Sequence, residues 1–282
     1  MKEKIAILTD SGSDVSHELA QELGIFVVAL QVNYKNKSYL DGVTISAQEI
    51  YERLDTEVPS TSLPTGETVD EVLQSILQQG YTHILAIVLS SGLSGTYNLL
   101  RLMADECKIP MQVIDTKNIG IGSGLSVVKA AHLVNEGLSY EAILNRMPKI
   151  IENTKVFFVL DTLKYLQLGG RIGKVTALVG YALDLKPIIT CDQQGIYTTI
   201  SKARGRKVSL LRCMETALQC LEGSTQVAIS IAHGNALADA QNIQKLIQAR
   251  YPETTIHIGP VSPALGVHTG PGLIGIAVQR DC

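Results

Sequence analysis

Apolar and polar positions in the first half of the chain fall into short strand-like runs separated by longer helix-like stretches. Residues 4–8 (KIAIL) form an apolar run ended by Thr9-Asp10-Ser11-Gly12, which predicts a buried strand followed by a loop. A helix is expected over residues 14–23, with Ser13 as its N-cap and Gly24 as its stop. Residues 25–32 read as a second strand. Ser46-Ala47-Gln48-Glu49 has capping-box spacing and opens a short helix, and Thr68-Val69-Asp70-Glu71 repeats the signal for a helix ending near Gly80. Residues 83–89 (HILAIVL) read as a strand, followed by Ser90-Ser91-Gly92-Leu93-Ser94-Gly95-Thr96 and a helix to about Cys107. A strand over 111–114 and two helices through about Asn153 complete this half. Strands separated by helices predict a mainly parallel sheet covered on both faces. Ligands of such sheets collect beyond the carboxyl ends of the strands, where the loops at 9–13 and 90–96 both lie.

The second half has a different rhythm. After a strand over 155–160 comes a helical stretch broken by Gly169-Gly170. Residues 188–191 and 196–201 flank Asp192-Gln193-Gln194-Gly195 as a β-hairpin. A helix over 207–221, a strand over 227–232, a helix over 236–250, a strand over 255–258 and a last strand near 273–278 follow. The expected fold class is α/β in two domains. Residues 1–155 form a Rossmann-like domain with a mainly parallel sheet and flanking helices, and residues 156–282 a smaller α+β domain with a mixed sheet. At 282 residues, each domain can bury its own core. No Gly/Ser/Pro-rich linker, internal repeat or low-complexity segment marks the chain.

Composition narrows the function classes. A net charge of -3, 5% aromatic residues and no Trp argue against a nucleic-acid partner. The slightly positive mean hydropathy points to apolar surface that is buried or encloses something apolar. The five cysteines, Cys107, Cys191, Cys213, Cys220 and Cys282, are scattered and lack CxxC spacing, which predicts free thiols in a reducing compartment. The start, MKEKIAILTD, enters a strand pattern without a signal h-region, and no apolar run approaches the roughly 20 residues of a membrane span. A cytoplasmic protein without stable membrane insertion is expected.

Three segments could carry chemistry. In Ser90–Thr96 a strand passes into a helix, leaving the first helical amides without intrahelical partners. Gly92 and Gly95 allow close approach of the main chain, while Ser94 and Thr96 add hydroxyls, a combination suited to a carboxylate or phosphate. Ser94 acting only as a helix cap is the competing reading. In Thr61-Ser62-Leu63-Pro64-Thr65, Pro64 pushes Leu63 towards an extended backbone, so the hydroxyls of Thr61 and Ser62 sit on stiff chain. In His268-Thr269-Gly270-Pro271-Gly272, an imidazole precedes a rigid turn into the last strand, although a lone His is more often structural. The other histidines have no ligand-like spacing, so no metal site is expected.

Enzyme signatures fail on spacing. A G-x-S-x-G elbow around Ser94 needs Gly where Thr96 stands. A Walker-A loop at Gly173-Lys174 is spoiled by Val175 and by Leu168 in place of the first Gly. Gly120-Ile121-Gly122-Ser123-Gly124 has Leu125 where a dinucleotide fingerprint needs its last Gly. A hydrolase using Ser94 with His268 as base, and Asp10 as the nearest acid, is the reading these failures weaken.

TDSGSD after the first strand, TSLPT near 61, SSGLSGT near 94, GRIGK near 171 and HTGPG near 268 together resemble the DegV family over essentially the whole chain. The members with the clearest function are the FakB-type fatty-acid-binding subunits of bacterial fatty acid kinase. The resemblance implies two α/β domains holding a long-chain fatty acid in an apolar tunnel at and near their interface. It implies that Thr61, Ser62, Ser94, Gly95 and His268 bind the carboxylate, with Thr96 and Thr269 as secondary contacts. Leu63 stands where the family often has a polar residue, which alters the tunnel mouth, and Thr65 where Ser is common. It further implies an ATP-dependent kinase subunit as partner, no catalytic residue in this chain, and no cofactor besides the bound fatty acid. Arg171, Lys202, Arg204 and Arg206, with the neighbouring Lys207, become candidates for docking that subunit or contacting phosphate, against the simpler reading of a solvated basic hairpin end. A carrier of another anionic lipid or small molecule, without a kinase partner, is the alternative.

Overall fold

The computed structural model describes residues 3–178 and 184–281, with the side chains of 176–178 excepted; Cys282 lies outside them. In chain order the elements begin with β1 (Ile5–Asp10), α1 (His17–Leu23), β2 (Ile25–Val28), β3 (Gln31–Asn33), β4 (Ser38–Leu40), α2 (Ala47–Arg53) and β5 (Ser60–Ser62). Then come α3 (Gly66–Gln78), β6 (His83–Val88), α4 (Thr96–Asp105), β7 (Met111–Asp115), α5 (Ile121–Asn135) and α6 (Tyr140–Glu152). The second half contains β8 (Thr154–Val159), α7 (Lys164–Leu168), β9 (Leu185–Cys191), β10 (Tyr197–Arg204) and α8 (Arg206–Gln219). It ends with β11 (Val227–His233), α9 (Leu237–Gln248), β12 (Ile256–Pro260), α10 (Pro263–Thr269) and β13 (Ile274–Arg280).

The described residues form three sheets. The first is four-stranded, in the order β2-β1-β6-β7, with parallel pairing throughout. Every residue of β1 is buried, as expected of a parallel strand covered on both faces. Ile5, Ile7, Leu85 and Ile87 meet α1, α5 and α6 on one face, while Ala6, Leu8, Ile84 and Val88 meet α3 and α4 on the other. The second sheet is mixed and six-stranded, in the order β10-β9-β8-β13-β11-β12, with only β11 and β12 parallel among its pairs. One of its faces packs on α8 and α9 through Phe157, Val159, Ile229 and Ile276. The other presents Val156, Phe158, Ile189 and Tyr197 towards the first half, joining a core that includes Leu30, Ile50 and Leu89. Together, these two sheets are the α/β architecture the hydrophobic pattern predicted.

Helix α5 packs against β1 and β6 of the first sheet and β8, β11 and β13 of the second. Its glycine-rich start explains the failed dinucleotide fingerprint. A Cβ at Gly124 would stand 2.5 Å from the Ser13 carbonyl oxygen, and one at Gly122 2.8 Å from the Val156 Cβ. These glycines bring backbones together.

Several local expectations are corrected. Ser13 is not the cap of α1, because its hydroxyl donates to the Asp10 carbonyl (2.8 Å) within a 3-10 turn over Ser11–Ser13. Asp14 then takes a left-handed backbone (φ 51°), and Ser16 caps the helix. Thr65, not Thr68, caps α3, in the register that buries Val69, Leu73 and Ile76 on one face. The expected strand over 25–32 is split into β2 and β3, and β3 joins β4 and β5 in a small antiparallel sheet. His268 lies inside α10, a helix capped by Ser262 with Pro263 at its start, and not in the turn that follows. The capping box Ser46/Glu49 and the hairpin around 192–195 form as predicted.

Candidate functional site

A cavity of about 210 Å³ opens beyond the carboxyl ends of β6 and β7, between the small sheet, α10 and β10, and the loop after β1 does not line it. Thr61, Ser62 and Leu63 reach it from the end of β5, and Leu93, Ser94 and Gly95 from the start of α4. Arg171 reaches it from the loop after α7, and His268 and Thr269 from the last turn of α10. Leu30, Leu89, Ile119, Tyr197, Ala264 and Leu265 complete the wall. Thus one polar residue or more from each of the three motif segments meets in one space.

The strand pairing of β5 places Thr61 opposite Val32, with Thr61 Oγ1 2.7 Å from His268 Nε2. His268 is pushed down to about 4 by burial, reinforced by the Arg171 charge, so its imidazole is neutral at neutral pH. A neutral ring donates from one nitrogen and accepts at the other. Its Nδ1 has no hydrogen-bond partner and faces Gly169, where a Cβ would collide with it. Arg171 Nη1 donates to the Gly169 carbonyl (2.8 Å), tying the cation to the same glycine. Among the described residues Arg171 is the one cationic side chain in the cavity wall, and no carboxylate accompanies it.

Ser94 is not the cap of α4, whose cap position is Gly95 without a side-chain bond, but stands one residue before it. Its hydroxyl pairs with Thr96 Oγ1 (2.9 Å) and accepts from the Thr96 N–H (3.3 Å), and the residue also lines the cavity. Thr96 itself is buried behind it. The loop is anchored by Ser90, whose hydroxyl donates to the Gly195 carbonyl in the β9–β10 turn (2.9 Å). Ser62 is exposed and accepts from Asn33 Nδ2 (3.1 Å). Thr269 is buried and donates to the Leu265 carbonyl (3.0 Å). Leu63, 39% exposed, stands against Gly95 at the mouth, at 3.5 Å from where a Cβ on Gly95 would be.

The basic hairpin residues are elsewhere. Lys202, Arg204 and Lys207 are exposed and do not line the cavity. Arg206 is engaged with Asp239 (2.8 Å) and Asp161 (3.1 Å). The hydrolase triad is not assembled. Ser94 bonds Thr96, His268 bonds Thr61, and both Asp10 oxygens accept backbone amides from Gly12 and Leu89. Among the described residues no group of three His, Cys, Asp or Glu could hold a metal, and no helix is long and apolar enough to cross a membrane. Cys107, Cys191, Cys213 and Cys220 are free thiols.

A second, narrower chamber of about 30 Å³ adjoins the cavity, with Ile119, Tyr197, Leu265 and Thr269 lining both. Its further wall is Ile121, Val156, Phe158, Val261 and Leu273, with Asp14 at one side. Phe158 and Tyr197 meet edge to face, with centroids 5.1 Å apart. No sequence signal separates these apolar residues from ordinary core. Tyr197 and Ile119, which line both spaces, were not singled out for that reason.

Comparison with known proteins agrees with the motifs. The model of the DegV family of uncharacterised proteins matches residues 4–281. A DegV domain-containing protein of Clostridium perfringens is 40% identical and one of Clostridium acetobutylicum 39% identical, each aligned over 99% of both chains. Among solved structures, a fatty-acid-binding DegV family protein of Thermus thermophilus superposes with a TM-score of 0.93 at 29% identity, covering 99% of this chain and 100% of that one. DegV of Bacillus subtilis, a fatty acid binding protein, superposes with a TM-score of 0.89 at 26% identity over 99% of this chain and 100% of its own. A stearic-acid-binding protein of Eubacterium ventriosum gives 0.87 at 25% over 98% of each. With the match running from β1 to the end of β13, this chain belongs to the DegV family.

Proposed function

We propose that this protein binds a long-chain fatty acid in the cytoplasm and presents its carboxylate to a separate ATP-dependent kinase subunit, which converts it to an acyl phosphate. The observation that carries the reading is the polarity of two adjoining spaces with a shared wall. Thr61, Ser94, His268 and the Arg171 charge stand at one end, and apolar walls lead away from them. Fatty-acid binding by solved relatives of the same fold supports the same ligand class.

Burying a bare carboxylate is costly unless several donors satisfy it. Hydroxyls of Thr61, Ser62 and Ser94 and the Gly95 amide supply donors, the His268 ring orients Thr61 by donating to its oxygen, and Thr96 and Thr269 stand behind them. Arg171 supplies the counter-charge. The acyl chain contributes about 0.8 kcal/mol per buried methylene, roughly 12 kcal/mol gross for 16 carbons, most of it offset by ordering and by self-association of the free lipid. At about 30 Å³, the deeper chamber is much too small for an acyl chain, so side chains there must part for one to enter. In this reading the lipid lies between the two domains, 1–155 and 156–282. The chain is a carrier without catalytic residues or cofactor, and Lys202, Arg204 and Arg206 face the kinase subunit.

Two assays test the proposal. Titration with a long-chain fatty acid and with its methyl ester should show binding of the acid only, and Ser94→Ala and His268→Ala should each weaken it about tenfold. Ester binding equal to acid binding, or unchanged affinity in both variants, would contradict the head-group assignment. Reconstitution with a fatty acid kinase subunit and ATP should yield acyl phosphate from the bound lipid. Tight lipid binding without phosphorylation would instead identify a carrier that works without a kinase.

A further inference from the structure

Outside the cavity, two carboxylates of the first half grip the helix that carries the imidazole. Asp41, just after β4, is 1% exposed. Its Oδ1 accepts the Ala264 N–H (2.7 Å) and its Oδ2 accepts the Ser11 hydroxyl (2.5 Å). Asp14 accepts the Ser262 N–H on Oδ1 (2.9 Å). Ser262 is the cap of α10 and Ala264 its second residue, so two amides that the helix cannot satisfy internally are fixed from far away in sequence. Of the two, Asp41 is the one that can be ionised near neutral pH, and a bond to an ionised carboxylate is stronger than a neutral one and favours the amino end of a helix.

The grip has a direction. Ala264 and His268 are four residues apart, hence on one face of α10 and about 6 Å apart along its axis. Both line the cavity. The helix is only seven residues long, so a shift at its amino end carries through to its last turn. Asp10, the third buried carboxyl of this region, bonds Gly12 and Leu89 and so ties β1 to β6 instead of holding α10.

We propose that Asp41 and Asp14 are positioning residues for the head-group site: they fix the amino end of α10 and thereby hold His268 Nε2 against Thr61 Oγ1. The proposal rests on the reading of His268 as a head-group residue that orients Thr61. A purely structural role would affect stability alone, whereas a positioning role also moves the imidazole and is rescued by a side chain that keeps the acceptor oxygen.

The test compares Asp41→Ala, Asp41→Asn and His268→Ala in the full chain, using histidine-labelled protein for ring-nitrogen NMR and displacement of cis-parinaric acid for affinity. Asp41→Ala should shift the His268 ring signals in lipid-free protein and weaken binding about tenfold, whereas Asp41→Asn should stay within about twofold of the parent. A folded Asp41→Ala protein with parental ring signals and affinity would overturn the proposal. If Asp41→Ala does not fold, Ser11→Ala, which removes the hydroxyl that donates to Asp41 Oδ2 and accepts the Leu30 N–H, should shift the His268 ring signals in the same direction and weaken binding about threefold. Parental values in both readouts overturn the proposal equally. Parental affinity in His268→Ala would refute the head-group reading instead, while the ring signals of the Asp41 variants still decide the positioning role.

Discussion

The two adjoining spaces are built by opposite means. At the mouth, Thr61, Ser94, Arg171 and His268 come from four separate segments, and their geometry is fixed by hydrogen bonds such as Thr61 to His268 (2.7 Å) and Arg171 to Gly169 (2.8 Å). In the deeper chamber, Ile121, Val156, Phe158 and Leu273 are held by packing and sheet register. Directional contacts discriminate chemical groups, whereas apolar walls discriminate size. Head-group class and chain length are therefore separable, and changes at one end should leave the other's selectivity intact.

The largest effect is expected from Gly169→Ala. A methyl there collides with His268 Nδ1, and overpacking of this kind costs about 1–3 kcal/mol. Fatty-acid affinity should fall up to about a hundredfold for all chain lengths alike. Retained affinity, measured by the same displacement titration, would show that His268 is free to move aside.

An intermediate effect is expected from Gly275→Val. Gly275 lines the deeper chamber, and a Cβ there has ordinary contacts at 3.8 Å to Ala232 and Phe158. The larger side chain should exclude the far end of long chains, costing about fourfold in affinity per excluded methylene. The shortest bound acids should be unaffected. A uniform loss across an acyl-length series would break the separation between the two ends.

The smallest effect concerns pH. Burial drives Asp41 up to about 6, Asp10 to about 7 and Asp14 to about 8 from the usual 3.8. These carboxyls also repel one another, and Asp14 faces Tyr51 and Tyr197. Each holds its proton more tightly folded than unfolded, so its contribution is full below the usual carboxylate pKa and is lost as pH rises through about 6 to 8. His268 runs the other way. Its folded value of about 4 lies below the usual 6.5, so its contribution is full above 6.5 and is lost as pH falls through about 4. Between pH 6 and 9 the Tm should therefore fall, and Asp14→Asn, which keeps an accepting oxygen but cannot ionise, should reduce the fall by about 2–4 °C. Parallel Tm curves for the two proteins would show that Asp14 is not an acid of raised pKa.

The parts of the fold that were legible in the sequence are those where one physical signal dominates. Strand β1 is an unbroken apolar run because both of its faces are covered, and the box Ser46/Glu49 announces α2. The small sheet was missed because three-residue strands such as β3 and β5 carry no periodicity. Helix α10 was missed because Pro-Ala-Leu-Gly-Val-His-Thr shows no polar face to set against its buried one. Of the site, the hydroxyls and the imidazole stood out as residue types in glycine- and proline-shaped segments. Tyr197 and Ile119 did not, since an apolar side chain facing a cavity looks the same in sequence as one facing core. Asp41 was invisible for the converse reason: a carboxylate next to Gly42 reads as surface, and only the fold brings it to Ala264.

The central claim is that the adjoining spaces take an acyl chain at their apolar end and a carboxylate at their polar end. Native mass spectrometry of gently purified protein, followed by identification of the released ligand, addresses it most directly. The account predicts one long-chain fatty acid per chain, or stoichiometric uptake of added fatty acid by delipidated protein. Protein that is always empty and takes up none would contradict it.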